Sequence, residues 1–272
     1  MASGHESLGT MGLLRQCVEV FGRTLVDAIL PHTCPRCKDI VSGHQGLCAS
    51  CFARLSFIDG PVCWRCGLPL AQEPGDDRAP RLCPECLTRR PLYRCARAAL
   101  LYDEESAPLV LQLKHADRTE SVDLFARWMT HAGRSLLTPD CLLIPVPLHW
   151  SRLFLRRYNQ AGLITRAIAS GTGLEADLRG LRRTRRTAPQ GRKRRAQRME
   201  NVRNAFEAVH PERLKGRAVV LVDDVMTTGA TMEACTRTLV AAGVTRVDVL
   251  TLARVSPEHR FVRQHGRARG WF

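Results

Sequence analysis

Two hydrophobic periods alternate along the latter part of this chain, and together they predict its architecture. After Pro91, "RAALLY" reads as a strand, while "SAPLVLQLKH" and "SVDLFARWMTHAGRSLL" carry helical spacing, with Ser106 and Ser121 at their cap positions. "CLLIPVPL" is a second strand and "NQAGLITRAIAS" a helix. "RAVVLVDD" is a buried strand, "ATMEACTRTLVAAG" a helix closed by Gly243, and "RVDVLTLAR" a final strand. Strands alternating with helices imply right-handed crossovers and a largely parallel sheet covered on both faces, an α/β fold. Ahead of it, "LLRQCVEVFGRTLVDAIL" sets Leu14, Val18, Phe21, Leu25, Val26 and Ile29 on one helical face that ends at Pro31. The expected division is residues 1–31 as tail and amphipathic helix, 32–90 as a small cysteine-rich module, and 91–272 as the α/β domain.

Cysteine spacing identifies the middle module. Eight of the 12 cysteines fall between Cys34 and Cys86, in four CxxC pairs. Cys34, Cys37, Cys48 and Cys51 have ten residues between their pairs; Cys63, Cys66, Cys83 and Cys86 have sixteen, including the polar loop "AQEPGDDRAPR". Two residues between cysteines let both thiolates point to one side of a tight turn, and two such turns supply the four sulfurs of a tetrahedral zinc site. Four thiolates fill the coordination sphere, so two structural Zn²⁺ ions are expected, whose binding folds a segment too poor in apolar residues to fold alone. A redox motif would instead be one CxxC opening a helix. Spacing leaves open whether the quartets pair sequentially or interleave.

The charge of +15 and a pI near 9.9 suit a polyanionic partner, either nucleic acid or a highly phosphorylated small molecule. Lys38, Lys114, Lys193 and Lys215 are the only lysines, so arginine carries the charge, and its planar fork matches phosphate oxygens. The positive charge is densest in "RRTRRTAPQGRKRRAQR", residues 182–198, which holds nine basic residues and no acid. Arg182, Arg183, Arg185, Arg186, Arg192, Lys193, Arg194, Arg195 and Arg198, with Gln190, read as a flexible basic loop. No stretch approaches the about 18 apolar residues of a spanning helix, and no signal peptide is legible, so the reading is cytoplasmic.

"VVLVDDVMTTGAT" sets two acids, Asp223 and Asp224, at the carboxyl edge of a strand, where open α/β sheets bind ligands. Thr227, Thr228, Gly229, Ala230 and Thr231 then form a loop opening a helix, with backbone N–H groups, hydroxyls and the positive end of a helix dipole suited to one phosphate. The acids would repel phosphate and so suit sugar hydroxyls or Mg²⁺. A ribose 5-phosphate satisfies both halves. The run resembles the phosphoribosyl pyrophosphate (PRPP) motif of type I phosphoribosyltransferases. That resemblance implies Asp223 and Asp224 as ribose or Mg²⁺-linked residues of catalysis and Thr227–Thr231 as the 5-phosphate loop. "IPVPLHWSRLFLRRYNQA" stands where such enzymes place their pyrophosphate loop, offering Arg152, Arg156, Arg157, Asn159 and Gln160, with Lys114 as a further leaving-group cation; Asn159 and Gln160 read equally as helix cap and surface amide. Residues 182–198 then become a lid over the diphosphate.

The chain as a whole resembles the ComF proteins of bacterial DNA uptake and competence, which join a double zinc ribbon to a phosphoribosyltransferase-like domain. The carriers are the CxxC series, "LKHADR", "PVPLHWSRLFLRRYNQA", "RRTAPQ", "RMENVRNAF" and "VVLVDDVMTTGAT" followed by "TLAR". One departure is Arg157, in Arg156-Arg157-Tyr158-Asn159-Gln160, where R-G-F-N-Q is expected. The resemblance implies PRPP with Mg²⁺ as ligand, single-stranded DNA and a competence helicase as partners, and a role in natural transformation. Wider-superfamily members that carry a general base inside the phosphate loop place an acid where this chain has Thr227. Two readings follow: a phosphoribosyltransferase with an unidentified acceptor, or a non-catalytic single-stranded-DNA-binding accessory that retains the fold.

Overall fold

The computed structural model describes residues 33–41, 46–70, 81–113, 121–148, 158–184 and 205–256. The chain divides into two compact units, Met1–Ala53 and Arg54–Phe272. The expected N-terminal helix lies outside the described residues.

In the smaller unit the first cysteine quartet is organised by a knuckle and by helix α1 (Ala49–Ala53), which carries Cys51. Thr33 bridges Ile40, the Cys34 N–H donates to Asp39 O at 2.7 Å, and the Lys38 N–H donates to Cys34 O at 2.9 Å. The larger unit repeats this geometry. Val62 bridges Pro69, the Cys63 N–H donates to Leu68 O at 2.7 Å, and the Gly67 N–H donates to Cys63 O at 2.9 Å. The residue after each knuckle is left-handed, Lys38 at φ 71° and Gly67 at φ 67°. At Gly67 glycine is obligatory for a second reason: a Cβ there would lie 2.6 Å from the Ala96 carbonyl oxygen. Gly67→Ala is expected to cost about 3 kcal/mol from backbone strain plus overpacking, measurable as a lowered midpoint in chemical denaturation.

The larger unit continues with α2 (Pro84–Thr88), which carries Cys86, and then the α/β body. Its strands are β1 (Ala96–Leu101), β2 (Cys141–Pro145), β5 (Ala218–Met226) and β6 (Arg246–Arg254), all parallel in the order β1-β6-β5-β2. β5 and β6 read as near-continuous β-branched and aliphatic runs because both of their faces are covered. Helices α3 (Ala107–Gln112), α4 (Val122–Ala132), α5 (Gln160–Thr172), α6 (Pro211–Leu214) and α7 (Ala230–Ala241) complete the frame. On one face, Leu142, Ile144, Val219, Leu221, Val247 and Val249 pack with Met232, Cys235 and Leu239 of α7. The alternate residues Leu143, Val220, Val222 and Leu250 are equally buried, as period-two strands require.

Both outer edges of the sheet are covered. Residues 56–58 run antiparallel to β1, with the Ile58 N–H donating to Ala99 O and the Leu101 N–H to Ser56 O. Residues 175–177 run parallel to β2, exchanging bonds with both polar groups of Leu143. No helix among the described residues is long and apolar enough to cross a membrane.

Two local expectations are corrected. Ser106 and Ser121 stand at N-cap positions but have helical backbone angles and make no capping bond. Ser106 is fully buried, and its hydroxyl donates to Leu101 O at 2.6 Å, closing the turn between β1 and α3. Arg182 and Arg183, expected in an irregular basic loop, instead belong to a two-stranded antiparallel ribbon of β3 (Leu181–Arg183) and β4 (Phe206–Ala208). Arg182 pairs with Glu207 at 2.9 Å and Arg183 lies over the Phe206 ring, so cross-strand partners offset the charge repulsion that the run alone suggests.

Candidate functional site

Unequal strand lengths create the site. β2 ends at Pro145 opposite Val222, and the Val146 N–H donating to Val222 O at 2.8 Å is the last link between the two strands. β5 continues for four more residues, Asp223 to Met226, beside β6 alone. Beyond the end of β2 the acids hold the strand's own backbone: Asp223 Oδ1 accepts the Asp224 N–H at 2.9 Å, and Asp224 Oδ1 accepts the Val225 N–H at 2.7 Å. Both acids are half-buried. Among the described residues neither carboxylate forms an ion pair, so both keep acceptor capacity toward a ligand. Burial, then the adjacent Asp224 charge, pushes the Asp223 carboxyl well above the usual carboxylate range, while Arg183 opposes the shift.

The loop after β5 turns through Gly229, left-handed at φ 76°, into α7. A Cβ at Gly229 would stand 3.1 Å from Met226 Cε and 3.4 Å from Tyr93 Oη, so glycine serves both the turn and the packing beneath it. The Glu233 N–H donates to Gly229 O, and Thr228 Oγ1 accepts the Ala230 N–H at 3.4 Å. The N–H groups of Gly229, Thr231 and Met232 have no acceptor among the described residues. Thr228 is buried and Thr227 exposed. The arrangement offers several donors and a helix dipole to one anion, with two carboxylates at its flank.

Of the remaining candidates, Asn159 and Gln160 open α5. Asn159 does not cap the helix; its Nδ2 donates to Val146 O at 3.2 Å and ties α5 to the end of β2. Gln160 is no surface amide, being 2% exposed, and its Nε2 has no partner among the described residues. Lys114, Arg152, Arg156, Arg157, Arg185, Arg186, Gln190, Arg192, Lys193, Arg194, Arg195 and Arg198 lie outside the described residues.

The quartets pair sequentially. Cys34, Cys37, Cys48 and Cys51 form one cluster and Cys63, Cys66, Cys83 and Cys86 the other, with the sulfurs of each within 4.8 Å of one another. Cys37 and Cys48 are separated by 3.6 Å, Cys66 and Cys83 by 3.7 Å. A Zn–S bond of about 2.3 Å gives a tetrahedral edge of about 3.8 Å, so both clusters fit Zn²⁺ as a closed structural site. In the second cluster burial, followed by the Cys63 charge, pushes the Cys86 thiol up to about 12. Four neighbouring thiolates require a cation, which zinc would supply.

Four residues near the site were missed in the sequence. Arg254, at the end of β6, donates from Nη1 to Thr227 O at 2.9 Å. Tyr93 lies beneath Gly229, and Arg89 pairs with Glu233 of α7 at 2.8 Å. Of these, only Arg254 left a trace: a cation closing the apolar run "VLTLAR" at the same sheet edge as the acids.

Comparison with known proteins agrees with this anatomy. Residues 25–89 match the model of a double zinc ribbon domain, and residues 168–265 match that of a phosphoribosyl transferase domain. The DNA utilization protein YhgH of Escherichia coli K12 is 32% identical over 83% of this chain and 98% of its own length. The competence protein F of Haemophilus influenzae is 29% identical over 81% of this chain and 96% of its own. Among solved structures, the glutamine PRPP amidotransferase of B. subtilis shares 20% identity over 52% of this chain and 30% of that enzyme, at a TM-score of 0.35.

Proposed function

This chain belongs to the family of DNA utilization protein YhgH and competence protein F, and from that premise we propose that it binds PRPP with Mg²⁺ at the rim of its sheet and acts in the handling of incoming DNA. The observation that carries the ligand assignment is the juxtaposition of two acids, Asp223 and Asp224, which form no ion pair among the described residues, with the donor-rich turn at Gly229. Thr227–Thr231 receive the 5-phosphate. Asp223 and Asp224 accept hydrogen bonds from the ribose hydroxyls or hold Mg²⁺, a hard cation suited to carboxylate oxygen. A Mg²⁺ ion held by these carboxylates would supply charge neutralisation for the pyrophosphate group. The residues described here orient the sugar; the acceptor nucleophile's proton is not taken by the loop, because Thr227 has no basic group.

A second reading has its own support in Thr227 and in the basic run after β3: a DNA-binding accessory that keeps the fold without transfer chemistry. One titration separates the two. PRPP with Mg²⁺ is expected to raise the melting temperature, by about 2.7 kcal/mol of added stability at a hundredfold excess over Kd, and omission of Mg²⁺ is expected to weaken the effect. Salt-sensitive binding of single-stranded oligonucleotides with no response to PRPP would select the accessory role instead.

A further inference from the structure

The two cysteine quartets share a ligand set and a sulfur spacing but differ in exposure. In the second, Cys63, Cys66, Cys83 and Cys86 are all buried and pack with Leu68, Leu70 and Leu82. In the first, Cys34 and Cys51 are buried, whereas Cys37 is exposed and Cys48 half-buried. Thiolate reactivity requires access as well as a charged sulfur. The same four-thiolate centre is therefore sealed in one ribbon and open in the other.

The two open sulfurs are also neighbours. Cys37 comes from one CxxC and Cys48 from the next, and their Sγ atoms lie 3.6 Å apart, so an approach of about 1.5 Å reaches the about 2.05 Å of a disulfide. Their surroundings differ. Ser50 Oγ lies 3.1 Å from Cys48 Sγ, and against a thiolate its hydroxyl must donate, which holds that sulfur in place. Asp39 Oδ2 lies 3.2 Å from Cys37 Sγ. When Cys37 is a thiolate these two anionic groups repel one another, and Cys37 becomes the ligand most readily given up. On the buried side, Arg36 Nη1 donates to Cys51 Sγ at 3.8 Å, so that cation supports Cys51 instead.

We propose that the first quartet is a site of reversible oxidation by a peroxide, at which Cys37 and Cys48 close a disulfide and the zinc is given up while the second quartet keeps its metal. The Cys37 thiolate attacks one peroxide oxygen; an S–O bond forms, the O–O bond breaks and hydroxide leaves, giving a sulfenic acid. The Cys48 thiolate attacks that sulfur, the S–S bond forms and a second hydroxide leaves. The two sulfurs lose two electrons between them, the peroxide gains both, and two solvent protons turn the hydroxides into water. Cys34 and Cys51 alone leave the coordination shell two ligands short. A dithiol reductant reopens the bond by exchange and restores all four thiolates. The quartet belongs to the unit Met1–Ala53, so the α/β body within Arg54–Phe272 stays folded throughout.

The full-length zinc-loaded protein is treated with hydrogen peroxide beside a chromogenic zinc chelator, then digested without reduction for mass analysis. One zinc per chain is expected to reach the chelator at least about tenfold faster than the other. The peptide map should contain a Cys37–Cys48 crosslink, the main melting transition should stay in place, and dithiothreitol should restore zinc binding. Asp39→Asn removes the charge beside Cys37 and keeps every ligand; it is expected to slow the fast release about threefold, and a rate equal to that of the wild type overturns Cys37 as the ligand that yields. Equal rates for the two ions, no release under peroxide, or oxidation mapped to the second quartet overturns the proposal. So does zinc passed to the chelator with peroxide absent and every thiol reduced. If the protein is isolated with one zinc, the peptide map decides alone: a Cys37–Cys48 bond supports the site and any other pairing overturns it.

Discussion

Replacing Asp223 and Asp224 together by asparagine is expected to raise the melting temperature of the ligand-free protein and to remove the stabilisation that PRPP and Mg²⁺ confer. Asparagine Oδ1 can still accept the N–H bonds that now reach the carboxylates from Asp224 and Val225, so the strand end is preserved. What changes is the cost of ionisation. The folded Asp223 carboxyl titrates well above its ordinary range, chiefly through burial and secondarily through Asp224. A folded pKa above the unfolded one means that the native state binds more protons, so stability falls as pH rises from the unfolded value, about 3.9, through the raised folded value. At low pH the penalty is absent. At neutral pH its removal is worth on the order of 1 kcal/mol, or about 2–4 °C for a domain of this size. The ligand response should vanish because the sugar loses its acceptors and Mg²⁺ its anionic oxygens. A variant that still responds fully to PRPP would refute the ribose assignment. A ligand-free variant that melts lower than wild type would refute the burial cost.

The two cysteine quartets should differ sharply in what their loss does. Cys63→Ser and Cys37→Ser are each expected to lose one zinc per chain, but only Cys63→Ser should collapse the α/β body. Cys63 is fully buried, its cluster packs with Leu68, Leu70 and Leu82, and it lies within the compact unit Arg54–Phe272. Cys37 is exposed and belongs to the unit Met1–Ala53. A structural zinc contributes about 10–16 kcal/mol of binding energy, against a typical domain stability of about 5–15 kcal/mol. The Cys63→Ser protein should therefore be insoluble or melt more than about 10 °C lower, while the main transition of Cys37→Ser stays in place. Metal analysis alongside calorimetry reads both quantities. Equal effects of the two substitutions would contradict the assignment of the second ribbon to the larger unit's core.

The long elements were legible because each has one dominant cause. β5 and β6 are buried on both faces and show as β-branched runs; α7 is opened by a left-handed glycine and followed by Gly243, also left-handed at φ 86°. The acids and the turn after them were legible for the same reason, since a strand, two carboxylates and a glycine-led helix start are all local in sequence. What escaped depends on contacts distant along the chain. β3 and β4 are three residues each, "LRR" and "FEA", and exist only through mutual pairing across an intervening basic run. Ser106 reads as a cap because its hydroxyl lies beside a helix start, but the free carbonyl of Leu101 captures it. Gln160 looks polar and therefore exposed, yet it is buried at the opening of α5. Arg89, Tyr93 and Glu233 acquire meaning only when the ribbon is seen docked beside the loop.

A crystal structure of the protein grown with Mg²⁺ and ribose 5-phosphate tests the central assignment most directly. The sugar's phosphate should lie within hydrogen-bond distance of the Gly229, Thr231 and Met232 N–H groups, with Asp223 or Asp224 contacting the ribose hydroxyls or a Mg²⁺ bound to them. Ligand found elsewhere, or held at the loop with both carboxylates turned away from sugar and metal, would contradict it.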